Sequence, residues 1–346
     1  MKRLHAVLAA MAAWMLVVPA AQAQQVLLAV DTAANRVLEL DPNTGAVLNG
    51  SFITDANSAL TYDFQTPRAA IQVGSQIWVS DQSPNVNAIF RFDLSGQYLG
   101  KIGGNVAGGG LSNVRGMRFI DGTVYVVNAG TDNGAPGAAI LRFDPAGNLL
   151  GSFSTLALGG TVGGSPWDIV SYNGQLLVSD GSSRKLQLYN LDGSYSGAFT
   201  AAINNIPQQM FVRANGEVLL AANGSQPVNS YGLYEIAPSG SVLHSWTGSP
   251  GLGTRGVYEL GNGQFLISEA GGNSATRGLG TIDPAGAYNN TNFTLINGFY
   301  NGGWISLAAV PEPASALLFL AGLAALAGRR PAAQASSRRM AAITAA

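Results

Sequence analysis

The chain repeats itself six times. "AIFRFDLSG" (88–96) returns as "AILRFDPAG" (139–147), and "RVLELDPNTG", "KLQLYNLDG", "GLYEIAPSG" and "GLGTIDPAG" fill the same slot. Aligned, they bring Asp41, Asp93, Asp144, Asn190, Ala237 and Asp283 into register at spacings of 52, 51, 46, 47 and 46 residues. Ahead of four of them lies a second echo: "VLLAVD" (26–31), "QIWVSD" (76–81), "QLLVSD" (175–180) and "QFLISE" (264–269). A period of this length restricts the chain to stacked or ring-forming units that bury their apolar faces against each other.

Each unit reads as four short strands. The apolar runs alternate or are β-branched, and Gly, Asn, Asp and Pro punctuate them. The Asp-Pro-Ala-Gly turn has a mechanism: Asp bonds the backbone two residues on, Pro pre-sets φ, and Gly accepts positive φ. Four-stranded units of about 40–50 residues mark a β-propeller, whereas a β-solenoid has shorter repeats. The expectation is an all-β, six-bladed β-propeller. The first repeat starts at its second strand, "VLLAVD", so its innermost strand must come from elsewhere. "GWISLAAV" (303–310) at the far end supplies it. Pairing of the N- and C-terminal strands then closes the ring and removes exposed sheet edges.

The stretch "PRAAIQVGSQIWVSDQSPNVNAIFRFDLSGQYLGKIG" (67–103) resembles an NHL-type repeat: a Pro-Arg-led inner strand, an apolar strand ending in Asp, a Phe-Asp turn, then Gly. That resemblance implies a fold and no particular function.

The two ends carry addresses. Lys2 and Arg3 precede the uncharged run Ala6–Val18, and Ala21 and Ala23 form the small-x-small site of a signal peptidase. At the other end, Pro311-Glu312-Pro313 leads into a charge-free apolar run, Ala314–Gly328, followed by Arg329 and Arg330. A full span needs about 20 apolar residues; this run is shorter, and Ala309 and Val310 extend it. The arginines after it fit a cytoplasmic flank once the N-terminus is exported. These three parts in order resemble a PEP-CTERM sorting tail. The resemblance implies a transient inner-membrane anchor recognised by an exosortase-type enzyme in a Gram-negative bacterium. It also implies a route through inner membrane and periplasm to the outer surface or extracellular matrix. The expected organisation is signal peptide 1–23, propeller 24–310, sorting and transmembrane segment 311–330, and basic tail 331–346.

Charge and composition narrow the function. Residues 24–310 hold 12 Lys and Arg against 18 Asp and Glu, a net charge of −6. That excludes nucleic acid as the expected partner, since phosphate binding needs a basic surface. There is no cysteine, so an exported domain is held by its core alone. His244, the one histidine of the propeller region, falls in the outer-strand run "SVLHSWTG" and reads as satisfied or solvent-facing, which argues against a Ser-His-Asp triad, and a single histidine makes no multi-histidine metal site. "GGNVAGGG" (103–110) lacks the Lys-Ser/Thr of a phosphate loop and reads as a connection between blades. No catalytic residue, metal ligand or cofactor is assigned on this basis.

Six-bladed propellers resembling sugar lactonases hold a calcium through channel oxygens, and that resemblance implies the alternative function, a hydrolase or lyase. Calcium takes six to eight oxygens. Asp31, Asp81 and Asp180 end second strands, and Asp41, Asp93, Asp144 and Asp283 open turns; Asp168 is the one acid near the start of an inner strand, with Asn128 and Asn223 as helpers, and one acid does not make a metal site.

The starts of the inner strands are Arg68, Arg115, Trp167-Asp168, Gln208-Gln209, Arg255 and Gly302-Gly303. Equivalent repeat positions cluster around one mouth of a propeller channel. Two readings stand open there. The arginines, with Trp167, Asp168 and Gln208, form a site for a small anionic ligand or an acidic extracellular polysaccharide. Alternatively, each arginine bonds carbonyls of a neighbouring blade. The leading functional expectation is a binding or scaffold module.

Overall fold

The computed structural model describes residues 23–55, 62–104, 110–156, 164–224, 232–247, 253–269, 278–285, 293–294 and 301–311. Its β-strands pair into six four-stranded sheets, and no α-helix occurs among the described residues. Blade 1 runs from axis to rim as β24 (Gly302–Pro311), β1 (Ala23–Asp31), β2 (Arg36–Leu40) and β3 (Val47–Thr54). Blade 2 is β4 (Pro67–Val73), β5 (Gln76–Asp81), β6 (Ala88–Asp93) and β7 (Tyr98–Ile102). Blade 3 is β8 (Val114–Ile120), β9 (Thr123–Asn128), β10 (Ala139–Phe143) and β11 (Leu149–Ser154). Blade 4 is β12 (Pro166–Tyr172), β13 (Gln175–Asp180), β14 (Lys185–Tyr189) and β15 (Tyr195–Ala198). Blade 5 is β16 (Ile206–Val212), β17 (Val218–Asn223), β18 (Gly232–Ile236) and β19 (Val242–Thr247). Blade 6 is β20 (Thr254–Glu259), β21 (Phe265–Glu269), β22 (Leu279–Ile282) and β23 (Phe293–Thr294).

The six-bladed propeller is the expected fold, and β24 takes the innermost place of the first blade. A compact unit spans Gln25–Val310. The signal and sorting features at Ala21, Glu312, Pro313, Arg329 and Arg330 lie outside the described residues, as does the apolar segment beyond 311. Ala23 begins β1 and Pro311 ends β24.

Six apolar clusters hold the blades together, one in each wedge between neighbours. Leu28, Val30, Val37, Ala70, Val79 and Phe90 fill the wedge between blades 1 and 2. Leu27, Ala29, Leu38, Leu266 and Ile305 fill the one between blades 6 and 1. Successive residues of β1 thus face opposite neighbours, following the two-residue period of a strand. Because both faces are covered, the inner and second strands read as nearly continuous apolar runs. Each fully buried Leu, Val or Phe contributes about 1.5–3 kcal/mol of transfer free energy. At the rim, Gly100 (φ +136°) and Gly151 (φ +136°) sit in the edge strands β7 and β11, and the β6–β7 and β10–β11 pairings shift register beside them. Such bulges twist an edge away from foreign strands.

The turns work as the composition suggests. Asp41 Oδ1 accepts the backbone N–H of Asn43 (2.9 Å) and Thr44 (2.8 Å), and Asp93 Oδ1 accepts those of Ser95 and Gln97 (2.9 Å each). The acids ending second strands clamp the loop entering their own blade. Asp81 accepts N–H bonds from Gln65, Thr66 and Ser83, and Asp180 from Ser165, Ser182 and Ser183.

A serine one residue earlier latches blade to blade. Ser80 Oγ accepts the Ala69 N–H (3.1 Å) and donates to the Arg115 carbonyl of blade 3 (2.7 Å). Ser179 Oγ accepts the Asp168 N–H (2.9 Å) and donates to the Gln208 carbonyl of blade 5 (2.8 Å). Ser268 Oγ donates to the Gly303 carbonyl of blade 1. Ring closure therefore combines the β24–β1 ladder with side-chain ties from both flanking blades. A chain ending at Asn301 lacks β24 and exposes the β1 edge. It is expected to be insoluble, or to melt well below a chain ending at Val310 in a thermal unfolding scan; equal melting temperatures would mean that the ring closes by another route.

Candidate functional site

The residues expected at the channel mouth share a structural device absent from the sequence pattern. In β4 the register passes from Pro67 opposite Asp81 to Ala69 opposite Ser80, so Arg68 has no cross-strand partner. Trp167 is skipped in the same way in β12, and Arg255 in β20. In β8 the break spans Arg115 and Gly116, and in β16 it spans Gln208 and Gln209. Five of six inner strands thus bulge at equivalent positions. A bulge leaves a residue outside the ladder and re-aims its side chain. The latch serines repair the damage, since Ser80 and Ser179 take the inner-strand N–H groups that the shifted register leaves over. Blade 1 contributes Gly303, where a Cβ would collide with the Arg68 carbonyl and the Val30 side chain.

Three guanidiniums gather here. Arg68 is 9% exposed and Arg115 7%. Arg68 Nε donates to Gln82 Oε1, while its Nη1 is buried with no hydrogen-bond partner. Arg255 Nη1 donates to Asn301 Oδ1 (2.7 Å), and its Nε is buried without a partner. Burial, with repulsion from Arg255 and Arg115, pulls the Arg68 guanidinium down to about 9, against an attraction from Asp81. Burial also lowers Arg115 and Arg255 to about 10.

Arg115 differs from the other two. Its Nη1 donates to the Pro166 carbonyl of blade 4 (2.7 Å) and to Ser165 Oγ (2.9 Å). Its guanidinium carbon stacks 3.7 Å from the Trp167 ring centroid. Trp167 stacks in turn on Trp304 of β24, with centroids 6.4 Å apart and planes 14° apart. Blades 4 and 1 stand opposite each other in the ring, so this pair crosses the axis. The bonding of arginines to neighbouring-blade carbonyls thus holds for Arg115, whereas Arg68 and Arg255 bond amide side chains.

Asp168 and the glutamines divide differently. Asp168 is fully buried; its Oδ2 pairs with Arg118 Nη2 (3.3 Å) and accepts the Met210 N–H (2.9 Å). Burial pushes the carboxyl pKa up, with Arg118 and the Met210 N–H opposing. Gln208 is buried, with Oε1 unpartnered. Gln209 ties three blades: its Oε1 accepts the N–H of Val257 (3.0 Å) and Ile305 (2.8 Å), and its Nε2 donates to the Ile305 carbonyl. Two of the groups named for calcium are already engaged. Asp168 is engaged by Arg118, and Asn128 spends its amide on Ser112, Gly130 and Gly137. Among the described residues no three His, Cys, Asp or Glu side chains group as metal ligands.

Beside Arg68 a cleft of about 570 Å³ opens between blades 2 and 3, lined also by Gln82, Asn87, Ser112, Asn113 and Asp132. Gln82, Asn87, Ser112, Asn113, Asp132 and Trp304 are not among the residues expected at the mouth. Gln82 directly follows the "VSD" motif and Asn113 stands two residues before Arg115, which was the available signal.

No protein-family model matches the chain, and no curated protein matches it. Solved structures do. A protein of unknown function from Bacteroides caccae aligns with TM-score 0.55 at 15% identity, covering 82% of this chain and 98% of that one. A chain of the nidogen/laminin complex aligns with TM-score 0.57 at 13% identity, with the same two coverages. A putative gluconolactonase aligns with TM-score 0.51 at 14% identity, covering 70% and 81%. At these identities the likeness shows the six-bladed fold.

The contrast between two arginines is testable. Arg68→Met removes a repelled cation with one bond made, to Gln82, and one unmade, whereas Arg115→Met removes three hydrogen bonds and a stacking partner. Arg68→Met is expected to melt at or a few degrees above wild type at pH 7, and Arg115→Met clearly below it. Because the unfolded chain holds the Arg68 proton more tightly, wild type gains stability as pH rises above about 9. The gap between wild type and Arg68→Met should therefore narrow from pH 7 to 10 in thermal scans. Destabilisation by Arg68→Met equal to that by Arg115→Met would show that Arg68 is held by the fold as firmly as Arg115.

Proposed function

We propose that this chain is an exported, exosortase-sorted propeller, associated with the cell surface or matrix, that binds an anionic ligand at the arginine-bearing mouth of its channel. The observation that carries the reading is the convergence of Arg68, Arg115 and Arg255 from three blades. Buried N–H groups on two of them lack partners in a domain of net charge −6. A buried cation without a full set of acceptors is costly, and an arriving carboxylate supplies them. Arginine meets carboxylate and phosphate oxygens with a planar fork. The Trp167–Trp304 stack lies across the axis, so the ligand rests at the mouth.

Export and sorting rest on the terminal motifs, with signal peptidase and an exosortase-type enzyme as the processing partners. A protein in that setting meets acidic extracellular polysaccharide and small organic acids. Structural neighbours include both a chain of the nidogen/laminin assembly and a putative gluconolactonase, so the fold suits either binding or hydrolysis. The ion pair of Asp168 with Arg118 weighs against the metal-dependent hydrolase or lyase.

Thermal scans of the full-length chain with polygalacturonate, citrate, sulfate and neutral dextran test the binding claim. Saturating anion should raise the melting temperature by roughly 5 °C and dextran should not. The shift should vanish in the double variant Arg68→Met/Arg255→Met. Absence of any anion-specific shift, or an undiminished shift in the double variant, would overturn the reading. Mass spectrometry of the protein exported from a host with the sorting enzyme should start at Gln24 and end near 311–313; recovery of the complete tail would refute the sorting claim.

A further inference from the structure

We propose that the cleft between blades 2 and 3 holds a carboxylated sugar unit, a uronate, with its carboxylate on the outer nitrogens of Arg68 and a ring hydroxyl on Asp132. The inference rests on the anionic-ligand reading above and names the subsite and the ligand class within it.

Arg68 is the one arginine of the mouth that lines this cleft. Its Nε is already committed to Gln82 Oε1, and the Gln82 amide nitrogen donates to Asn113 Oδ1. This relay orients the guanidinium and leaves Nη1 without an acceptor at a side chain more than nine-tenths buried. A guanidinium short of one acceptor in the cleft wall matches a single carboxylate. The push from Arg115 and Arg255 adds to the gain when a negative charge arrives.

An acid in the same lining selects against other anions. Asp132 lines the same cleft and accepts a hydrogen bond from Ser112 Oγ (3.1 Å). A carboxylate there repels a phosphate dianion but welcomes a hydroxyl donor. Thr66, Ser83, Asn87, Ser112 and Thr131 add hydroxyl and amide groups, which is a lining for a polyol. One positive end, one acidic wall and a polar span between them describe a hydroxylated monocarboxylate. The cleft volume of about 570 Å³ lies within the ordinary range for ligand sites, roughly 300–1,000 Å³. The cleft opens to the surface, so the unit can belong to a longer chain.

Calorimetric titration of the full-length chain tests this with tetragalacturonate, monomeric galacturonate, neutral tetragalactose and inorganic phosphate. Tetragalacturonate should bind, with the neutral tetramer and phosphate at least tenfold weaker. Binding of the monomer alone, with the tetramer excluded, would overturn the chain-borne ligand. Arg68→Met should weaken tetragalacturonate tenfold or more. Asp132→Asn should weaken it several-fold while strengthening phosphate. Lys101→Met, on the exposed edge strand β7, should leave the affinity within twofold and so exclude a diffuse charge effect. A thermal scan of each variant confirms folding, and a variant that fails to fold is replaced by Arg68→Gln or Asp132→Ser. If tetragalacturonate binds wild type but the loss follows Arg255→Met and spares Arg68→Met and Asp132→Asn, the cleft assignment fails and the mouth reading survives. If phosphate binds as well as tetragalacturonate, the uronate class fails. If no anion binds at all, both fail together.

Discussion

The seating of β24 against β1 is the interaction on which the rest of the structure depends. A propeller has no core of its own kind at the axis; it is six wedges of apolar side chains, each needing a blade on both sides. Without β24, blade 1 lacks the strand that presents Ile305 to blade 6 and Ala308 and Val310 to blade 2. The strand is held by more than its ladder. Gln209 reaches from blade 5 to both backbone groups of Ile305, and Gln72 of blade 2 does the same for Ala309, accepting its N–H at 2.8 Å. Ser268 holds the Gly303 carbonyl from blade 6, and Ser306 donates to the Ala70 carbonyl of blade 2. Loss of any one of these leaves a buried polar group unsatisfied, at about 1–3 kcal/mol.

Closure also shapes the site. Trp304 arrives on the closing strand and meets Trp167 from the far side of the ring, so the strand that completes the fold also spans the axis. Arg115 stacks on Trp167 and is pinned by the Pro166 carbonyl. That arginine is spent on structure. Arg68 and Arg255 are not spent in the same way: each keeps a buried nitrogen without an acceptor, which the proposed ligand would supply. The bulges explain how one strand position serves both ends. They lift the side chain out of the ladder, and a serine hydroxyl repairs the ladder behind it.

Much of this was legible in the sequence. Six aligned turn motifs gave the blade count, and a first repeat lacking its inner strand pointed to 303–310 as its complement. Turn acids such as Asp41 and strand-end acids such as Asp81 were readable because their partners lie within about 15 residues. The bulges were not readable, since "PRAA" and "PWDI" look like any strand entry and the register depends on pairing across the sheet. Arg68 and Arg115 occupy equivalent repeat positions yet differ in bonding, because Arg115 meets Ser165 and Pro166 while Arg68 meets Gln82. That difference comes from the neighbouring blade, some 50 residues away in the chain for Arg115. The role of Trp304 was hidden for the same reason: its partner lies on the opposite side of the ring.

Native-state hydrogen exchange reads the closure directly. The Ile305 amide is buried and bonded to Gln209 Oε1, in a strand held from three blades. If β24 is the clasp of the ring, this amide exchanges only through global unfolding, with a free energy equal to that of the most protected amides in β5 and β13. Exchange of Ile305 through a local opening several kcal/mol below that limit, while β5 and β13 stay protected, would contradict the account.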